Sequence, residues 1–229
     1  MGFLVDAFLK AIHLILRGDP ETYTALATTV YVSTVSLAAS LLVGIPAGFL
    51  LGYVSFPGRR MLRTLVDTLL SLPTVLIGLL VYGLLTRRGP LGRFELLFTV
   101  HAIVIGQALL ALPIVTALTA SAVEALDGRL RVTLLSLGAG PVRRFATSLR
   151  EARYGVLAAA VTAYGRVLTE VGIAIMVGGN IKWHTRTLTT AIALETNKGD
   201  FAAGIALGVI LLLLASGVNA ILYGLRKRA

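Results

Sequence analysis

No cysteine occurs in this 229-residue chain, which excludes disulfides, thiol nucleophiles and cysteine metal sites. Charge is scarce as well: 14% of the residues are Asp, Glu, Lys or Arg, and 56% are hydrophobic. A soluble domain carries roughly 25% charged residues, so the balance marks an integral membrane protein. The three histidines, His13, His101 and His184, form no ligand-spaced pair, and no metal site is expected. None of the lysines follows a glycine, so the chain has no Walker A loop with which to hold ATP. Low-complexity tracts are missing, as is the internal repeat that marks many secondary transporters. Asp6 interrupts the apolar start MGFLVDAFLK, which is therefore read as mature chain rather than as a cleaved signal.

What is present is long uncharged runs. Thr22–Gly58, Thr68–Thr86, Leu96–Val123 and Phe201–Leu225 contain no Asp, Glu, Lys or Arg. Each is long enough to cross a hydrocarbon core of about 30 Å as a helix. A further span, fourth in chain order, covers Tyr154–Val177 and is apolar except for Arg166 and Glu170. Residues 2–17, with Asp6, Lys10 and Arg17, read as an N-terminal amphipathic helix on the membrane surface. The expected fold class is thus all-α, about five transmembrane helices plus that helix, forming one transmembrane domain over residues 1–229.

Basic residues divide unequally between the two sides. Arg59, Arg60, Arg63, Arg129, Arg131, Arg143, Arg144, Arg150, Arg153, Arg226, Lys227 and Arg228 share one side. Lys10, Arg17, Arg87, Arg88, Arg93, Lys182, Arg186 and Lys198 share the other. The positive-inside rule places the larger set in the cytoplasm, with the N-terminus outside and the C-terminus inside. Topology thereby explains much of the +10 net charge, and no nucleic-acid partner is inferred from it. Gly44, Gly48 and Gly52 recur every fourth position in the first span, a smooth face for close helix approach. Pro46, Pro73 and Pro113 lie within spans one to three, where each can kink its helix.

Two segments are richer than connectors need to be. Between Asp127 and Gly155, apolar Leu130, Leu134 and Leu137 share a helical face before Gly138-Ala139-Gly140 ends that helix, and Pro141 suits the first turn of the next. This helix–turn–helix displays Arg143, Arg144 and Phe145 at the membrane surface; binding to anionic headgroups is its simplest use. Between Gly178 and Asp200, the apolar stretch Leu188–Leu194 is too short to span and suits a helix dipping back toward a pathway. Thr185, Thr187, Thr189 and Thr190 offer hydroxyls there, with Lys182 and Arg186 adding charge. Within the fourth span, Arg166 and Glu170 lie about 18 and 24 Å along a helix counted from Tyr154, four residues apart on one face. They form either a self-neutralising pair or a pathway arginine held by its carboxylate.

The order LGAGPVRRFATSLREARYGVLAA resembles the cytoplasmic coupling loop of permease subunits of ATP-binding-cassette importers. Gly138 fits that loop's glycine; Val132, Thr133 and Leu134 stand where the family has Glu-Ala-Ala, and Arg150 and Glu151 where it has Leu-Pro. The stretch GRVLTEVGIAIMVGGNI is similar to the R-x-x-x-E-x-G…GN pattern of oxyanion permeases. With TRTLTTAIALETNKGDF it looks closest to tungstate-uptake permeases, beside molybdate and sulfate relatives. The resemblance implies a type I ABC-importer permease fold whose loop docks on a separate ATPase through Leu134, Leu137, Gly138, Ala139, Arg143, Arg144 and Phe145. It also implies a second copy of the chain, two ATPase subunits holding ATP and Mg, an extracytoplasmic oxyanion-binding protein, and no cofactor in this chain. Arg166, Glu170, Asn180, Arg186, Thr187, Thr189 and Thr190 are the candidate pathway residues. An ion-coupled secondary transporter would need several deep carboxylates, and only Glu170 qualifies. An embedded enzyme would need a cluster of nucleophile, base or metal ligands, which is missing.

Overall fold

The computed structural model describes Leu9, Ile12 and residues 19–228, with side chains as far as Ala220. The expected surface helix over residues 2–17 therefore lies outside the described residues, Leu9 and Ile12 apart. Among the described residues the fold is all-helical, with ten α-helices. They are α1 (Pro20–Tyr53), α2 (Arg59–Leu69), α3 (Thr74–Leu85), α4 (Val100–Glu124), α5 (Gly128–Ser136), α6 (Pro141–Glu151), α7 (Arg153–Leu168), α8 (Gly172–Gly178), α9 (Leu188–Asn197) and α10 (Phe201–Arg228). Three helices are long and apolar enough to cross a membrane, and the number rises to five if each of two bent pairs is one span.

The bent pairs correct the expectation of continuous second and fourth spans. The second breaks at residues 70–73, where α2 and α3 diverge by 99°. Pro73 has no N–H to continue the ladder, and its ψ of 129° is extended, so it starts α3 instead of kinking it. α2 carries Arg59, Arg60, Arg63 and Asp67, which cannot enter lipid unpaired. Arg59 Nη2 lies 2.7 Å from Glu124 Oε1, and Arg63 Nη2 donates to Ser121 Oγ at 2.7 Å, both at the end of α4. Asp67 accepts from Arg63 Nε at 3.2 Å. The fourth span breaks at residues 169–171, with α7 and α8 diverging by 58°. Glu170 sits in that break, not on a continuous helix with Arg166.

The centre of the fold is α1 against α4. A Cβ at Gly48 would lie 2.6 Å from Thr116 O, and one at Gly52 would lie 2.6 Å from Ala120 O, so backbone meets backbone. Ser36 Oγ donates to Val104 O at 3.1 Å and Ser40 Oγ to Ala108 O at 3.0 Å, sewing the same two helices together. Gln107 of α4 donates Nε2–H to Val167 O of α7 at 3.3 Å, tying a third helix to the pair. Val81, Ile103, Val115, Val167, Ile173 and Val177 close the core around these contacts. Gly48→Val is expected to force α1 off α4 and destabilise the fold by about 1–3 kcal/mol; unchanged unfolding in mixed micelles would contradict that packing.

Candidate translocation pathway and coupling surface

The coupling segment is built from local capping. Asp127 Oδ1 accepts the Arg129 N–H at 2.9 Å and starts α5. Gly138, with φ of +67°, ends it: the Gly138 N–H reaches Leu135 O at 3.0 Å and the Ala139 N–H reaches Leu134 O at 2.9 Å. A left-handed residue at this place is the glycine stop of a helix. Pro141 then opens α6, as its fixed φ suits.

Two residues expected on the docking face turn inward. Leu134 is buried. Phe145 packs edge-to-face on Phe49, ring centroids 4.7 Å apart, and Phe49 stacks on Tyr53 of α1. Phe145 thereby fastens the segment to α1, which is where an apolar face goes when the chain itself offers it a partner. The outward face consists of Leu137 and Val142, 75% and 79% exposed, with Val132, Leu135 and Arg143 beside them. Leu135 and Val142 were not singled out from the sequence; on α5, Val132 lies opposite Leu134 and Leu135 a quarter-turn away, and Val142 stands in the first turn of α6. Gly138 and Ala139 stand at the tip between them.

In the broken span, Glu170 is 3% exposed and fully engaged. Its Oε2 lies 2.9 Å from Arg166 Nη1, its Oε1 accepts the Ile173 N–H at 3.2 Å, and its carbonyl accepts from Thr189 Oγ1 at 2.9 Å. The carboxylate thus caps α8, where the helix dipole favours negative charge. The Arg166 side chain remains 42% exposed while it holds Glu170.

The outer segment differs from its expected chemistry. Thr185, Thr187, Thr189 and Thr190 are all buried, and their hydroxyls are committed inside the protein. Thr185 donates to Gly178 O, Thr189 to Glu170 O, and Thr187 with Thr190 forms the capping box of α9. They position a re-entrant helix and present no donors to a passing anion. Leu188 N–H donates to Thr29 Oγ1 at 2.9 Å, pinning that helix to α1. Arg186 is likewise not a free cation: it pairs with Glu21, and its Nε donates to Asn180 Oδ1 at 3.1 Å. Lys182 Nζ lies 2.6 Å from Glu21 Oε2. No sequence spacing links Glu21 to residues 180–186, which is why it was missed. Around this cluster lies a cavity of about 340 Å³ lined by Asp19, Glu21, Lys182, Arg186, Glu195 and Lys198 among others, so the mouth is of mixed charge. A second, apolar groove of about 410 Å³ opens between α1, α2, α3 and α4, lined by Val43, Leu62, Leu80, Leu109 and Pro113 among others.

Broken spans, a half-open arginine at one break and an exposed apolar knuckle outside the helices define a multi-pass transport subunit made to work with other proteins. The chain belongs to the binding-protein-dependent transport system inner membrane component family, whose model matches residues 44–229. It is 43% identical to the tungstate uptake system permease protein TupB of Campylobacter jejuni, over 99% of this chain and 95% of that one. Identity to the TupB of Peptoclostridium acidaminophilum is 37%, over 99% and 100%. The fold is similar to that of a chain in the inward-facing MetNI methionine ABC transporter, with a TM-score of 0.75 at 18% identity, covering 91% of this chain and 95% of that one. The expected type I ABC-importer permease fold is the one found. As a member of this family the chain is a transport component of the inner membrane and not an enzyme, and it works with an ATPase and a substrate-binding protein.

Proposed function

We propose that this chain is the permease subunit of an ATP-driven tungstate importer, working as a pair of identical copies with two ATPase subunits that hold ATP and Mg. The observation that carries an anion pathway is Arg166: its guanidinium is half open at a helix break, and its partner carboxylate is engaged by a helix N-terminus. Near full-length identity to two tungstate uptake permeases favours tungstate over molybdate, since identity to the molybdenum transport permease ModB of Escherichia coli is 30% over 86% of this chain. Pairing of two copies is supported by the helix count: up to five spans make a thin wall, and two copies can enclose one pathway between them. The excess of arginine around α2, α5 and α6 supports a cytoplasmic side for these elements, with the N-terminus outside and the C-terminus inside.

With the threonine hydroxyls committed and Arg186 paired to Glu21 and 13% exposed, Arg166, paired to Glu170 but 42% exposed, is the more open of the two candidate pathway arginines. Weak contact suits flux, since a tight site would trap the ion. Calorimetry of the detergent-solubilised permease with tungstate is therefore expected to give no dissociation constant below about 1 μM, roughly −8 kcal/mol. Uptake of tungstate into proteoliposomes should appear only when the ATPase and binding protein are both supplied. Submicromolar binding to the permease alone, or ATP-independent uptake, would overturn this reading.

A further inference from the structure

The outer face of α1 carries a feature apart from the candidate pathway residues. Leu42, Pro46, Leu50 and Val54 recur every fourth residue, and all four are exposed, Leu42 by 78% and Leu50 by 56%. The stripe is about 18 Å long at 1.5 Å per residue. At its end it runs into a cavity of about 460 Å³ between α1 and the α5–α6 segment, lined by Pro46, Leu50, Val54, Phe145, Arg131 and Arg144 among others.

The polar end of this cavity is basic and unsatisfied. Arg144 Nε is buried without a hydrogen-bond partner, and so is the hydroxyl of Tyr53, which also lines the cavity. Arg131 lies over the Tyr53 ring, 5.1 Å from its centroid. Neither arginine has an acidic partner among the described residues. A buried guanidinium nitrogen left unpaired is costly, and an anion accepting from it removes the cost. Tyr53 sits where α1 ends and the arginines begin, the level at which amphipathic aromatics mark a membrane interface.

We propose that this groove binds one anionic phospholipid, its phosphate between Arg131 and Arg144 and an acyl chain along Leu42, Pro46 and Leu50. The combination of a long apolar stripe with a doubly basic, donor-rich end matches that amphiphile. Arg144 accordingly faces the membrane, and Arg143, exposed on the same helix, is the arginine left for the ATPase. The site stands apart from the nature of the transported anion.

Native mass spectrometry of the full-length permease tests this with phosphatidylglycerol and phosphatidylcholine as probes. Phosphatidylglycerol is expected to be retained roughly tenfold better: both lipids carry the phosphate, but the choline ammonium cancels its charge and is repelled by two arginines. The Arg131→Gln, Arg144→Gln double variant should lose that preference, while Arg144→Lys and Arg143→Gln keep it. Leu50→Asn should weaken retention of both lipids. Equal retention by wild type and the double variant would overturn the proposal. Inorganic phosphate binding as tightly as the lipid would overturn the acyl-chain contact. Release of the lipid on docking of the ATPase subunit would assign the groove to that partner instead.

Discussion

Arg166→Met is expected to destabilise the folded permease more than Glu170→Gln does, by on the order of 3 kcal/mol, the cost of stranding one charge of a buried pair. The asymmetry follows from exposure. Removing the arginine leaves a carboxylate that is 3% exposed with only the Ile173 N–H for company. Removing the carboxylate charge leaves an arginine that is 42% exposed and can be hydrated. Adding Glu170→Gln to Arg166→Met should recover much of the loss, because no uncompensated ion remains and the glutamine oxygen can still accept the Ile173 N–H. A double-mutant cycle in mixed micelles measures the coupling; strictly additive losses would show that the two side chains act independently.

Gly138→Leu is expected to leave the protein folded and inserted while cutting ATP-driven uptake by about tenfold or more, one kcal/mol of docking being a factor of about five. A Cβ at this position meets nothing within 4 Å, so the fold has room for it. The backbone, at φ of +67°, suits glycine and disfavours a branched side chain. The cost therefore falls on the shape of the turn between Leu137 and Val142, the knuckle proposed to seat in the ATPase. Gly138→Asn, which tolerates the left-handed region, should retain most uptake. Parallel assays of ATP hydrolysis and uptake in proteoliposomes separate the outcomes: continued hydrolysis without uptake is uncoupling, and wild-type uptake by Gly138→Leu would remove this loop from the coupling route.

Much of the architecture is legible in the sequence because charge cannot be hidden in lipid. The uncharged runs locate α1, α4 and α10, and the Gly44–Gly48–Gly52 spacing marks the face that meets α4. The Gly138 stop and the Pro141 start are also local events, visible from residue type alone. The breaks are less visible. Residues 70–73 are uncharged, so counting charges carries the second span straight through them. The interruption at residues 169–171 is held by Glu170 capping α8 and by Thr189 from another helix, a tertiary arrangement with no spacing signature. The threonines show the same limit: a hydroxyl in sequence is a donor, but only the folded chain shows that Thr187 and Thr190 are spent on each other. Leu134 and Phe145 have the periodicity of a buried face, and periodicity does not say whether the burying surface belongs to the same chain.

The glycine face between α1 and α4 has a mechanical consequence. At Gly48 and Gly52 the backbone of α1 lies against that of α4, so little can rearrange at those contacts and the two helices move together as one stiff shaft. The 99° elbow at residues 70–73 is different, since no helical hydrogen-bond ladder runs through it. Any swing that opens the protein to one side and then the other has to be taken up at joints of this kind, with α3 pivoting as a paddle on an unyielding axle.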